Sequence, residues 1–244
     1  MRALYLRSNQ VAVYFTAHET GPNISSLKGS LQGNLTDTQK GRYDRHALEI
    51  SKLLHGSKRV VSLGGGTGSL EKRLVKLCPH IQFMVSDIYD KEPVSESEIA
   101  FTTLDMTDTE SLRAKLEGFD TVLIINALSP FFPKEVENVF GEIGASQVSN
   151  VIIYSAEDLR FVGYFAAFIK RQMIKKRSVW IGYLFSSRFI SRLAKKNGLS
   201  RTAFARPRQH GALTPIWGNT YLAAFSRGKR AAIDKPLVAE NLIM

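Results

Sequence analysis

The segment VVSLGGGTGSL sets Gly64, Gly66 and Gly68 between a strand-like run and a helix-like one. Glycine at such a turn admits positive φ and lets the backbone approach a ligand that any Cβ would obstruct. Asp87 follows 19 residues after Gly68 at the end of the next strand-like run, and Asp105 ends the one after that, in FTTLDMTD. The first interval is close to the spacing, about 20 residues, at which an acid meets ribose hydroxyls. Two carboxylate acceptors at adjacent strand ends suit a sugar diol and an adenine amino group. A glycine-rich turn by itself is also simply a tight strand-to-helix connection, and the two acids are what make it a candidate ligand site.

To bring these residues together the chain needs a parallel sheet, and its patterning predicts one. Strands are predicted at Arg59–Leu63, Ile81–Ser86, Ile99–Leu104, Thr121–Asn126 and Asn150–Tyr154, separated by helices at Ser69–Cys78, Thr109–Glu117 and Lys134–Ala145. Strands apolar on both faces and alternating with helices imply an α/β domain, doubly wound and three-layered, with a mostly parallel sheet covered on both sides. Thr36 followed by Gln39 is a capping-box signature, and Leu48, Ile50, Leu53 and Leu54 continue it as a helix near Thr38–Leu54. Ala3–Phe15 alternates like a short hairpin turning near Ser8-Asn9-Gln10, and residues 20–36 are loop-like. Ser187–Asn197 is predicted as a helix stopped by Gly198, and Arg201–Arg206 with Thr220–Arg227 as a closing antiparallel hairpin. The organisation expected is an N-terminal arm over 1–35 and one domain over 36–244, carrying a basic helical insertion at about 159–186.

Charge is distributed unevenly along the 244 residues. The net +11 hides a span from Leu159 to Ile233 with 16 Lys and Arg and no Asp or Glu, against a net of −5 for the remainder. Such asymmetry either serves solubility alone or faces an anionic partner: a phosphate- or carboxylate-bearing substrate, a membrane surface or nucleic acid. Within it, the apolar run Phe161–Ile169 and the aromatic run Val179–Phe185 flank five basic residues in Lys170–Arg177. That order suits cap helices joined by a basic loop, or a surface that touches anionic headgroups. A single cysteine, Cys78, excludes an internal disulfide framework, and the first residues contain no continuous apolar export signal. A cytoplasmic protein, in peripheral contact with a membrane at most, is the expectation. The five histidines form no i, i+4 pair and there is no second cysteine, so no metal site is predicted.

The succession VVSLGGGTG, VSDIYD, TTLDMTD, FDTVLIINALS and VSNVIIYSAED resembles that of class I S-adenosylmethionine-dependent methyltransferases, from about Thr38 to Asp158. NTYLAAFSRG is similar to the last strand of that family's seven-stranded sheet. The resemblance implies S-adenosyl-L-methionine as cofactor. Gly64, Gly66 and Gly68 would line its methionine and ribose parts, and Asp87 would take the ribose hydroxyls. Asp105 and Met106 would border adenine, Asn126 and Ala127 would close the floor near the methyl group, and Tyr43 and His46 would cover the cofactor from above. The chain departs from the family pattern at Ser62, two residues before the first glycine, where members often carry an acid; some other group must then support the loop or the cofactor's amino group. NALSPFF after the fourth strand is neither the Asn/Asp-Pro-Pro-aromatic motif of amino-methylating nucleic-acid enzymes nor the Pro-Cys of cytosine-C5 enzymes.

Methyl transfer from a sulfonium is an in-line displacement in which the protein orients, desolvates and, for a hydroxyl acceptor, removes a proton. Among His46, Asn126, Glu157, Asp158 and His210, the catalytic candidates are His210, in ARPRQHGALTP beside Arg206 and Arg208, and Glu157. The acceptor expected is an O or N atom of a small or lipid-like, anionic molecule. Two alternatives remain at this point. One is an NAD-binding protein like the short-chain dehydrogenases, although Tyr154 is followed four residues on by Asp158 rather than Lys. The other is a non-catalytic cofactor-binding module whose basic segment docks on nucleic acid or membrane.

Overall fold

The computed structural model describes residues 6–7, 10–11, 37–88, 99–128, 131–157, 185–205 and 219–228. Among the described residues, fourteen elements follow in chain order. The first two strands are β1 (Leu6–Arg7) and β2 (Gln10–Val11), after which come helix α1 (Asp37–Leu53), β3 (Arg59–Leu63), α2 (Glu71–Leu77), β4 (Gln82–Asp87) and β5 (Ala100–Thr103). They are succeeded by α3 (Thr109–Leu116), β6 (Thr121–Ile125), α4 (Pro133–Ala145), β7 (Asn150–Glu157), α5 (Ser187–Lys196), β8 (Ser200–Ala205) and β9 (Asn219–Ser226). The short hairpin pairs Leu6 with Val11 and Arg7 with Gln10, so Gln10, predicted in the turn, belongs to the second strand. The basic insertion predicted at about 159–186 falls almost wholly outside the described residues.

Seven strands form one sheet in the order β5-β4-β3-β6-β7-β9-β8. Strands β3 to β7 run parallel, and β9 runs antiparallel to both β7 and β8. This is the mostly parallel, doubly wound sheet with an antiparallel C-terminal hairpin that the patterning predicts. Alternate residues of each strand feed two cores. Val61, Leu63, Val122, Ile124, Val151, Ile153, Tyr221 and Phe225 pack against α3, α4 and α5. Val60, Leu123, Ile152, Tyr154 and Leu222 pack with Ala47 and Ile50 of α1 and Leu74 of α2 on the other face. Burying both faces is what makes the strands uniformly apolar. β7 runs three residues beyond its predicted end, because Ser155, Ala156 and Glu157 find ladder partners in Tyr221, Thr220 and Asn219. Ser-Ala-Glu carries little hydrophobic signal; the neighbouring strand makes it a strand.

The amino-terminal end of the sheet is tied by one acid. Asp120 Oδ2 accepts the Lys58 and Arg59 amides at 2.8 and 2.9 Å, and its Oδ1 accepts the Thr121 hydroxyl at 2.7 Å. Asp120→Ala leaves two strand-end amides without their acceptor, and a loss of about 2 kcal/mol is expected in urea denaturation. A change below about 0.5 kcal/mol would mean that water replaces the carboxylate.

The chain passes from β3 outward through β4 to β5, then returns to β6 on the other side of β3. In open α/β sheets a ligand crevice opens at that reversal, outside the carboxyl ends of the strands. The loops after β3 and β6 therefore flank the crevice.

Candidate functional site

Gly64, Gly66 and Gly68 have φ of 68°, 60° and 68°, in the left-handed region that glycine enters without strain. A Cβ on Gly64 would lie 2.6 Å from Ala127 Cβ and 3.0 Å from Met106 Cε. The loops after β3, β5 and β6 thus meet at one point, where Gly64, Met106 and Ala127 lie against one another. Asn126, between β6 and Ala127, is exposed with φ of 54°, and its amide bonds to the Tyr154 carbonyl at 2.7 Å. Asparagine tolerates this conformation better than other non-glycine residues, which suits a position that must turn sharply at a strand end.

The two acids are held by local bonds. Asp87, 8% exposed at the end of β4, accepts the Gly66 amide on Oδ2 at 2.8 Å, and the Gly65 amide bonds to the Ser86 carbonyl at 3.0 Å. So Asp87 fixes the glycine turn from the end of β4. Asp105 is half-buried, and its Oδ1 accepts both the amide and the hydroxyl of Thr107, at 2.8 and 2.7 Å. This Asx-type turn stiffens the loop that carries Met106. Ile88, exposed next to Asp87, adds an apolar surface at the strand end.

Tyr43 and His46 lie on α1. The His46 Nε2 and the Tyr154 hydroxyl are hydrogen-bonded at 2.9 Å with ring centroids 4.3 Å apart, and the Arg73 guanidinium sits over the Tyr43 ring. Arg73 also pairs with Asp44, which ties α1 to α2. Of the two catalytic candidates, Glu157 is placed only as the last residue of β7, and its side chain and His210 lie outside the described residues. Cys78 is buried, and burial pushes its thiol pKa up, which disfavours a nucleophilic role. No group of three or more His, Cys, Asp or Glu among the described residues is arranged to hold a metal ion.

One residue of the site was not anticipated. Where the family often has an acid before the first glycine, this chain has Ser62, and its hydroxyl donates to Glu71 Oε1 at 2.6 Å. This carboxyl comes from α2, is 1% exposed and lies directly behind Gly65. Burial pushes the Glu71 pKa above the usual carboxylate range against the opposing effect of the Ser62 bond, and the nearby Asp87 charge adds to the rise. The folded chain therefore keeps a proton that the unfolded chain has released between the two pKa values, so this group makes stability fall as pH rises through that window. Glu71→Gln should accordingly be more stable than the natural protein at alkaline pH and lose the advantage in acid. A gain of about 1 kcal/mol would raise the thermal midpoint by about 2–4 °C in a chain of this length. An unchanged midpoint at every pH would refute this account of the burial.

No protein-family model matches the sequence, and no curated protein does. Solved structures do match. Magnesium protoporphyrin IX methyltransferase (ChlM) from Synechocystis PCC 6803 with bound SAH is 15% identical, with a TM-score of 0.60 over 84% of this chain and 95% of that one. The N-methyltransferase NodS from Bradyrhizobium japonicum WM9, in complex with S-adenosyl-L-homocysteine, is 13% identical, with a TM-score of 0.59 over 84% of this chain and 98% of that one. The mitomycin 7-O-methyltransferase MmcR is 16% identical, with a TM-score of 0.54 over 76% of this chain and 54% of that one. The chain has the class I methyltransferase fold. Within this sheet the glycine turn, the strand end at Asp87, and the loops of Asp105 with Met106 and of Asn126 with Ala127 all lie at the carboxyl ends of β3, β4, β5 and β6, at the switch point.

Proposed function

We propose that this protein binds S-adenosyl-L-methionine in the crevice at the carboxyl ends of β3, β4 and β6 and transfers its methyl group to an O or N atom of a small or lipid-like anionic acceptor. The observation that carries this reading is the glycine turn, locked by the bond from the Gly66 amide to Asp87, at the reversal point of a sheet that has the methyltransferase strand order. The cofactor supplies the electrophilic carbon. Gly64, Gly66 and Gly68 give its amino-acid and ribose parts a close backbone surface, Asp87 accepts from the ribose hydroxyls, and Asp105, Met106 and Ile88 border the base. Asn126 and Ala127 form the floor on which the acceptor is aligned. His210 and Glu157 are the groups proposed to hold or take the acceptor's proton.

The reversed strand β9 between β7 and β8 favours this reading over the NAD-binding one, whose dinucleotide sheet is built from parallel βαβ units. Calorimetric titration with S-adenosylmethionine, S-adenosylhomocysteine and NAD tests it. Saturable binding of the first two without NAD supports the proposal, and binding of NAD alone overturns it.

Anionic character of the acceptor or its surroundings is supported by α5. Phe189, Ile190, Leu193 and Ala194 are buried, while Arg188, Arg192, Lys195 and Lys196 are exposed along the opposite side. No helix among the described residues is long and apolar enough to cross a membrane. A cationic face of this kind attracts an anionic surface without inserting into it. Sedimentation with phosphatidylcholine vesicles, with and without phosphatidylserine, is expected to show binding only to the anionic ones. Each cation near such a surface contributes about five-fold in partitioning, so Arg188→Gln with Lys195→Gln and Lys196→Gln should weaken it about 100-fold. Binding to single-stranded RNA with a steep salt dependence, and none to the vesicles, would assign the face to nucleic acid instead.

A further inference from the structure

A groove of about 780 Å³ lies at the other end of the sheet from the crevice, where β3 and β4 begin and α2 ends. Val75, Ile81, Phe83, Met84 and Phe119 form its walls, and its lining contains two cations, Arg59 and Lys76, and no acid. Cavities of about 300–1,000 Å³ that are mostly apolar, with a few polar groups to fix orientation, are those that take small ligands. The two cations are not neutralised by the protein. Among the described residues the ion pairs engage Arg73, Arg113 and Lys134, and neither Arg59 nor Lys76 has one. Asp120, beside the start of β3, spends its carboxylate on the Lys58 and Arg59 amides and the Thr121 hydroxyl. Arg59 is also held in place. Its guanidinium carbon stands 5.0 Å from the centroid of the Phe119 ring, and Gly118, with φ of 77°, leaves it room, since a Cβ there would stand 2.6 Å from Arg59 Nη1. A cation over an aromatic face keeps its N–H donors available to an anion.

We infer that this groove is a second ligand site and that it takes an apolar carboxylate, with the hydrocarbon body against the walls and the carboxylate on Arg59 and Lys76. The planar fork of an arginine matches a carboxylate through two parallel hydrogen bonds, and a lysine adds a point charge. The site is separate from the crevice: β4 runs from Gln82, in the groove lining, to Asp87 at the glycine turn, about 17 Å at the rise of a strand. A molecule bound there is not the methyl acceptor, so the inference stands or falls without the cofactor reading.

The test titrates decanoate into the full chain by calorimetry, beside 1-decanol, which lacks the charge, and acetate, which lacks the chain. Decanoate is expected to saturate with one molecule per chain, and the other two to bind at least about 10-fold more weakly. Arg59→Gln should weaken decanoate about 10-fold, the loss of charge-assisted bonds, and Lys76→Gln, an exposed change that leaves the fold intact, about three-fold. Ala100→Trp, at the exposed start of β5 in the groove lining, fills the space and should abolish binding. Thermal melts check that each variant folds, and Lys76→Gln carries the test if the other two do not. Saturating S-adenosylhomocysteine should leave decanoate binding unchanged. No saturable binding, equal binding of 1-decanol, or undiminished binding in a folded Ala100→Trp or in Lys76→Gln overturns the inference. Displacement of decanoate by S-adenosylhomocysteine would place it in the crevice and overturns it equally.

Discussion

Asp87→Ala is expected to weaken S-adenosylhomocysteine binding about 100-fold or more, since it removes two functions at once. The carboxylate holds the Gly66 amide at 2.8 Å, and in the proposed complex it accepts from the ribose hydroxyls. Bonds to a charged acceptor contribute about 1.5–3 kcal/mol each, and two of them set the size of the loss. Asp87→Asn separates the functions, because its amide oxygen still accepts from Gly66 while the charge presented to the diol is gone. Affinity intermediate between Asp87→Ala and the natural protein is the expected result. If Asp87→Ala binds S-adenosylhomocysteine within about three-fold of the natural protein, Asp87 serves the turn alone and the ribose assignment falls.

Gly64→Ala is expected to cost about 2–5 kcal/mol of stability, the sum of a left-handed residue carrying a Cβ and of overpacking in a closed contact. The φ of 68° supplies the first part, and the 2.6 Å approach to Ala127 Cβ the second. A second substitution divides them. Gly64→Ala combined with Ala127→Gly removes the steric contact and leaves the backbone strain, so about half the stability should return in denaturant titration. The flexible Met106 side chain, whose Cε would stand 3.0 Å away, can give way by rotation. No recovery in the double variant would show that the strain is entirely in the backbone.

The sheet was legible in the sequence because burial on both faces leaves runs such as RVVSL and TVLII without polar alternation. Helix α5 was legible for the opposite reason, its cations and its apolar residues falling on opposite sides. The order of the strands was not: Ser200–Ala205 and Asn219–Ser226 announce a hairpin, but nothing in them says that the second strand is the inner one, against β7. That choice is made by Tyr221, Ala223 and Phe225, buried in the core shared with α4 and α5. At the crevice, glycines and strand-end acids are recognisable because few other reasons put them there. Glu71 was hidden, since an acid in the first turn of a helix is ordinary. Ser62 was its signal: a small hydroxyl where a carboxylate often stands calls for an acid from elsewhere in space. Helix α2 also begins at Glu71 rather than Ser69, because Gly68 is left-handed and the first i→i−4 bond, from the Lys72 amide to the Gly68 carbonyl, leaves Ser69 and Leu70 in the turn that leads into the helix.

The position of β9 has a bearing on how the polypeptide is made. β7 and β8 have no contact ladder with each other; each is hydrogen-bonded to β9, which is translated after both. While the chain is emerging from the ribosome, the outer edge of β7 stays open and β8 has nothing to pair with until residues 219–226 have left the exit tunnel. Open strand edges recruit other chains. A nascent chain without this strand therefore leaves the outer edge of β7 unpaired, and β9 closes that edge and gives β8 its partner together.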